Sequence, residues 1–171
     1  MSSTQTKILV YGNAGIAAAG LLLFALVHFL DGWPGVLPDP GERVALALKF
    51  SVLPAGFVLL VIQVIALTRF LTENVNAIDD RPTRWRAVDM RVLANTVEQT
   101  LVFLPVYLAS SLVLRADETA FLAALPITFV AARLAFWIGY RISDLGRAPG
   151  MAAGFALNLT LLGFVVVRFL G

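Results

Sequence analysis

The sequence has no cysteine, a single histidine and few charged residues. Without cysteine, neither a disulfide nor a thiolate metal site can form, and one histidine, His28, is too few for the usual zinc sites. Only 14% of the 171 residues are charged, whereas about a quarter are charged in a typical soluble domain. We therefore predict no metal site and a chain for which water is not the main solvent.

Long apolar stretches take the place of the missing charge. Hydrophobic residues make up 59% of the chain, and the mean hydropathy is +0.85. About 20 mostly apolar residues in a helix span the hydrocarbon core of a bilayer. Stretches of that length occur roughly at residues 8–30, 44–70, 87–114, 120–141 and 150–170. The pattern predicts an all-α integral membrane protein with about five transmembrane helices.

The first stretch has two interpretations. Lys7 precedes an apolar run, and the small residues 17–19 resemble a signal-peptide cleavage site. Apolar sequence continues to Leu30, however, which is long for a signal and leaves no polar start for a mature chain. We favour a retained transmembrane helix, followed by a link over residues 31–41 whose prolines and glycines exclude a continuous helix.

Basic residues are distributed unevenly between the loops. Five spans place the N-terminus and the loops 71–86 and 142–149 on one side, with Lys7, Arg69, Arg81, Arg84, Arg86, Arg91, Arg141 and Arg147. The other side has only Arg43, Lys49, Arg115 and Arg168 nearby. An excess of lysine and arginine marks cytoplasmic loops. We therefore expect a cytoplasmic N-terminus and an external C-terminus, in the inner or plasma membrane if the protein is bacterial.

Two spans carry polar side chains along one helical face. In the third span Arg91, Asn95 and Glu98 follow an i, i+4, i+7 spacing, and in the fourth span Arg133 and Tyr140 are seven residues apart. An ionisable side chain at the centre of a span costs at least about 2.5–3.5 kcal/mol, so each of them calls for a partner or a function.

The residues alone leave two interpretations of these polar groups open. Glu98 and Arg133 lie at similar depths, roughly 10–12 Å from the cytoplasmic ends of their spans, and could form a buried pair that joins two helices. Alternatively, Arg91, Arg133 and Arg147 supply more positive charge than one carboxylate requires. The surplus indicates an anionic ligand that enters from the cytoplasmic side.

At these positions the sequence resembles the MAPEG family, the membrane-associated proteins in eicosanoid and glutathione metabolism. The first matching block is Arg91-Val-Leu-Ala-Asn95-Thr-Val-Glu98, followed by an apolar run to Tyr107. The second is Ala132-Arg-Leu-Ala-Phe-Trp-Ile-Gly-Tyr140, with Arg147 seven residues later. The resemblance covers roughly residues 44–170. Phe136 stands where several members have tyrosine, and Gln99 where leukotriene C synthase has one.

The resemblance implies a fold and an activity. Residues 44–171 would form the family's four-helix transmembrane domain, and residues 1–43 would add an N-terminal transmembrane helix and link, which we expect on the outside of the assembly. Protomers would form a homotrimer that binds glutathione between neighbouring subunits near the cytoplasmic face. The implied activity is that of a microsomal glutathione transferase acting on hydrophobic electrophiles in the membrane, also compatible with a peroxidase activity toward lipid hydroperoxides.

The resemblance also implies which residues form the site. Glutathione, the co-substrate, would be bound by Arg91, Asn95, Glu98, Arg133, Tyr140 and, from an adjacent subunit, Arg69. Arg147 would be the catalytic residue, because a guanidinium beside the sulfur favours the reactive thiolate.

Two other functions are compatible with a polar stripe in a membrane. One is a non-catalytic protein that keeps the scaffold as a lipid-binding or assembly module. The other is a small transporter with Glu98 and Arg133 along its path, which is disfavoured because no internal repeat or pair of broken helices is visible. A glutathione-dependent enzyme accounts for Arg147, which a purely structural site does not need.

Overall fold

A computed structural model describes residues 2–72 and 82–171, and these form six helices. The helices are α1 (Ser3–Phe29), α2 (Pro40–Phe50), α3 (Val52–Leu71), α4 (Arg84–Val113), α5 (Ala120–Ile142) and α6 (Ala148–Leu170). Five segments of this part of the chain are long and apolar enough to cross a membrane, with α2 and α3 together making one of them. The predicted all-α membrane bundle is confirmed. Arg81, counted above among the basic residues, lies outside the described ranges.

The break between α2 and α3 has a local cause. Pro54 has no N–H for the carbonyl of Phe50, and its ring would clash with that carbonyl in a continuous helix. The interruption falls at Ser51, whose hydroxyl donates to the carbonyl of Leu48 at 2.7 Å. Both segments still run in one 32-residue span, Pro40–Leu71.

Four spans surround the core of the bundle. The α4 helix packs against α3, α5 and α6, and α5 packs against α3 and α6. In one half of the bundle Phe103 and Phe129 stack with ring centroids 4.3 Å apart. In the other half Phe57 meets Trp137 edge to face, at 6.0 Å. This second half carries the α5–α6 turn and the basic ends of α3 and α4.

The N-terminal helix α1 lies outside this group, against α5 and α6. Its contact with α6 passes through Gly12 and Gly15, which are buried. A Cβ atom on Gly15 would lie 2.2 Å from the carbonyl oxygen of Pro149, so no larger residue fits without moving the backbone. Small residues allow helices to approach closely in lipid, and α1 is therefore an additional transmembrane helix seated on the start of α6.

The orientation of the bundle can be tested because the chain has no native cysteine. Asp117 is an exposed residue between α4 and α5, and Asp144 is exposed between α5 and α6. With the N-terminus in the cytoplasm, we expect a membrane-impermeant maleimide to label Asp117→Cys in intact cells and Asp144→Cys only after permeabilisation. The opposite labelling pattern would reverse the predicted topology.

Candidate functional site

The predicted polar stripe of α4, which consists of Arg91, Asn95 and Glu98, lies partly at the protomer surface and partly in a contact with α5. Arg91 and Glu98 are exposed on the protomer, and Asn95 between them is half-buried. Val92, Thr96 and Gln99, on the neighbouring face, are buried against the other helices. The predicted common face of the three polar residues is therefore present, and its two charged members point outward.

Arg133 has the opposite environment, because none of its side chain is exposed. Its Nη1 donates to Asn95 Oδ1 at 2.9 Å, and its Nη2 donates to the carbonyl oxygen of Gly150 at 2.7 Å. The guanidinium also lies 5.2 Å from the ring centroid of Phe136. Arg133 thus joins α4, α5 and α6 from inside the bundle and supports the stripe through Asn95.

The interpretation of Glu98 and Arg133 as a buried ion pair was wrong. The buried face of α4 contains Thr96 and Gln99, and successive helical residues are rotated by about 100°, which carries Glu98 to the outside. The partner of Arg133 on α4 is Asn95, one turn earlier. The carboxylate of Glu98 is thereby left at the surface of the protomer.

A short turn between α5 and α6 positions Arg147. The Ser143 hydroxyl accepts from the Gly146 N–H at 2.9 Å. Gly139 and Gly146 come so close that a Cβ atom on Gly139 would lie 2.0 Å from the Gly146 carbonyl oxygen. This contact folds the turn against α5 and brings Arg147 next to Tyr140.

Arg147, which is half-buried, and Tyr140, which is buried, form one unit. Arg147 Nη1 donates to Tyr140 Oη at 3.0 Å, and the guanidinium carbon lies 4.8 Å from the centroid of the same ring. Both side chains line a cleft of about 350 Å³ together with Arg84, Ala87, Val88, Arg91 and Asp144. The cleft thus combines three arginines with one carboxylate, which makes it a strongly positive site on the protomer surface.

Arg69 lies in a different groove. That groove has a volume of about 380 Å³ and is lined by Ile62, Ile65, Ala66, Arg69, Met90, Leu93 and Ala94. Arg69 Nη2 is 3.9 Å from the sulfur of Met90. Within one protomer, therefore, the structure brings Arg91, Tyr140 and Arg147 together but leaves Arg69 on another side of α4.

Sequence reasoning missed a buried carboxylate next to the cleft. Asp89 is only 1% exposed. Its Oδ1 accepts from Trp137 Nε1 at 2.7 Å and from Arg141 Nε at 2.9 Å, and its Oδ2 accepts from Arg141 Nη2 at 2.6 Å. Trp137 and Arg141 flank Tyr140 on α5, so this cluster fixes the segment that presents Tyr140. Their i, i+4 spacing was the only sequence signal available.

A second buried polar contact holds α4 to α6. Asn158 Nδ2 donates to Gln99 Oε1 at 2.8 Å and to the Gln99 carbonyl at 3.2 Å. Gln99 therefore serves the interior of the bundle, whereas its neighbour Glu98 faces outward. The two adjacent residues have separate roles.

Comparison with known proteins gives one result. The sequence model of the MAPEG family matches residues 46–167, a range that begins within α2 and contains the whole cleft. No curated protein and no solved structure matches the chain significantly.

Proposed function

The chain belongs to the MAPEG family, and from this premise we propose that it is a homotrimeric glutathione-dependent transferase acting on hydrophobic electrophiles in the membrane. The observation that carries the proposal is the cleft in which Arg147, Arg91 and Tyr140 converge. Three arginines facing one aspartate leave an excess of positive charge, which suits a peptide with two carboxylates and a thiolate.

Each part of glutathione has a complementary group near this cleft. Arg91 is suited to a carboxylate because its fork of N–H donors matches two oxygens. Glu98, two turns further along α4, offers a counter-ion for the peptide's amino group. We assign Arg147 to the sulfur, and its hydrogen bond to Tyr140 Oη would hold the guanidinium in position. Arg133, which is fully buried, would act on the ligand indirectly by holding Asn95.

The chemistry needs the thiolate. A free thiol has a pKa of about 8.5 and is mostly protonated at neutral pH, whereas only the anion attacks electrophiles. A fixed guanidinium beside the sulfur stabilises the anion, and each unit of pKa lowering corresponds to about 1.4 kcal/mol. The sulfur then forms a bond to the electrophilic carbon, whose leaving group departs with the electron pair while the thiol proton goes to solvent.

The position of Glu98 favours assembly of several protomers. It lies fourteen residues after Arg84 in the 30-residue helix α4, at the middle of that helix and inside a candidate membrane span. Facing lipid there would cost at least about 2.5 kcal/mol. A neighbouring protein surface or a ligand-filled cleft removes that cost, and a further copy of the same chain can provide both.

Arg69 supports a ring-shaped assembly. The cleft and the Arg69 groove are different surfaces of one protomer. Contact between two different surfaces produces a head-to-tail arrangement, which closes into a ring when the rotation allows. In the proposed trimer the Arg69 groove of one subunit faces the cleft of the next, so that Arg69 completes the glutathione site from the adjacent subunit.

Glutathione binding tests the proposal through thermal stability. At a glutathione concentration a hundred times the dissociation constant, we expect the free energy of unfolding to rise by about 2.7 kcal/mol. Arg91→Gln should lose most of this increase, because it removes a cation from the cleft. Arg115→Gln is the matched control, since Arg115 is exposed in the α4–α5 link and away from the cleft.

Mass measurement in detergent tests the assembly at the same time. A mass of three protomers together with stabilisation by glutathione would support the proposal. A trimer whose stability is unaffected by glutathione would identify the chain as a non-catalytic scaffold. A monomer, in which Glu98 would face lipid, would contradict the proposed interface.

A further inference from the structure

A second groove begins on the other side of Arg84. It lies between the start of α4 and the end of α5, has a volume of about 580 Å³, and is lined by Arg84, Trp85, Ile138, Arg141 and Ile142. We call it the interfacial groove. It shares only Arg84 with the glutathione cleft, and its other residues are absent from that cleft.

The interfacial groove carries more positive than negative charge. Arg141 gives Nε and Nη2 to the buried Asp89, which leaves its Nη1 without a partner among residues 2–72 and 82–171. The guanidinium of Arg84 lies 5.7 Å from the ring centroid of Trp85 and makes no ion pair within those ranges. Asp89 balances one of the two arginines, so the groove keeps one uncompensated positive charge.

An apolar strip extends from these cations along α5. Ile138 and Ile142 are 52% and 74% exposed, and Leu134, one turn further into the membrane, is also exposed. Residues at i, i+4 and i+8 lie on the same side of a helix. Trp85, which is also exposed, has the amphipathic ring that favours the headgroup level of a membrane. The groove therefore has a cationic end and an apolar side that leads toward the bilayer centre.

This combination fits one type of molecule. A soluble anion would use the arginines but not the apolar strip, and a neutral lipid would use the strip but not the uncompensated charge. Basic pockets between transmembrane helices bind anionic lipid headgroups. We propose that the interfacial groove binds an anionic phospholipid, with its phosphate at Arg84 and Arg141 and an acyl chain along Leu134, Ile138 and Ile142.

The site does not depend on the proposed transferase activity, although it adjoins it. Arg84 lines both the groove and the glutathione cleft, and Asp89 joins Arg141 of the groove to α4. The bound lipid would therefore lie against the outer side of the elements that position Tyr140. Lipid binding at this groove is tested by lipid selectivity, and that result is independent of whether the protein binds glutathione.

Lipid retention measured by native mass spectrometry tests this proposal. The full-length protein is reconstituted in nanodiscs with equal amounts of phosphatidylglycerol and phosphatidylcholine. The lipids that stay bound after the protein is released from the nanodisc are then identified. We expect phosphatidylglycerol to be retained preferentially. Because an arginine near the membrane surface contributes about fivefold to such binding, Arg84→Gln should reduce the preference by about fivefold.

Ile142 allows a test that leaves every arginine in place. Ile142→Glu puts a carboxylate into the groove and should abolish the preference for phosphatidylglycerol, whereas the neutral Ile142→Gln, of nearly the same size, should keep it. Arg115→Gln, at an exposed position in the α4–α5 link, should also keep it. Together with Arg84→Gln, these variants distinguish the effect of charge in the groove from the effects of charge elsewhere and of losing the isoleucine.

Three results would overturn the proposal. They are equal retention of the two lipids by the unmodified protein, an unchanged preference in Ile142→Glu, and displacement of phosphatidylglycerol by inorganic phosphate in the buffer. The last result would show that the arginines bind a free anion without use of the apolar strip.

Discussion

Arg147→Ala is expected to lower kcat/KM for the conjugation of glutathione to an activated aryl chloride by about a hundredfold, the usual effect of removing one group that stabilises a developing anion. Glutathione affinity should fall much less, because Arg91 and Glu98 remain. The proposed mechanism also predicts a pH dependence. Above the thiol pKa of about 8.5 glutathione ionises without help, so the defect should shrink as pH rises through that value. Initial rates across the pH range measure both effects.

Two variants make this result specific. Tyr140→Phe removes the hydroxyl that accepts from Arg147 but keeps the ring beneath the guanidinium, so a smaller loss is expected. Arg115→Ala removes an exposed arginine between α4 and α5 and should have no effect. A defect in Arg147→Ala that is equally large at every pH would contradict a role in thiolate formation.

Asp89→Ala is expected to destabilise the protein by about 3 kcal/mol. The substitution leaves the buried Trp137 N–H without an acceptor and removes the carboxylate that holds Arg141 at 2.6 Å. Breaking a buried ion pair by removing one partner typically costs about 3–5 kcal/mol, and the part of Arg141 that water can reach reduces that cost. The change in the free energy of unfolding is measured by denaturation in detergent, monitored by the circular dichroism signal of the helices.

Asp117→Ala provides the comparison. Asp117 also pairs with an arginine, Arg115 at 3.0 Å, but both side chains are mostly exposed. Exposed ion pairs contribute about 0–1 kcal/mol, so this variant should remain close to the unmodified protein. Equal losses of stability in the two variants would show that the buried cluster around Asp89 stabilises the fold no more than an exposed ion pair does.

The membrane spans were predictable because lipid imposes one requirement on all of them. Backbone groups must be hydrogen-bonded within the segment, so apolar runs of sufficient length become helices. The first and last residues of each helix were less predictable than the spans themselves. For instance, α4 begins at Arg84 instead of residue 87 and thereby includes Trp85 and Arg86. The order of the helices, and the contact of Gly15 with Pro149, depend on packing that no local pattern reveals.

The sequence could nominate candidate site residues but could not predict how they are arranged. Helical periodicity placed Arg91, Asn95 and Glu98 on one face, and the family blocks added Tyr140 and Arg147. Depth along the helix could not tell Asn95 from Glu98 as the partner of Arg133, because that depends on the rotation of α4 relative to α5.

Asp89 was missed for a related reason. Its partners Trp137 and Arg141 are 48 and 52 residues away in the chain, and Asp89 lies at the start of the predicted third span, between Arg86 and Arg91. Its burial becomes apparent only when α4 and α5 are packed together.

The proposed transferase depends on one property of the cleft, namely that its arginines hold glutathione as the thiolate. This property can be measured by stopped-flow mixing of the purified protein with glutathione at neutral pH, with thiolate absorbance and proton release recorded together. We expect a rise in absorbance that saturates with glutathione concentration and is matched by the number of protons released. Bound glutathione that produces neither signal would contradict it.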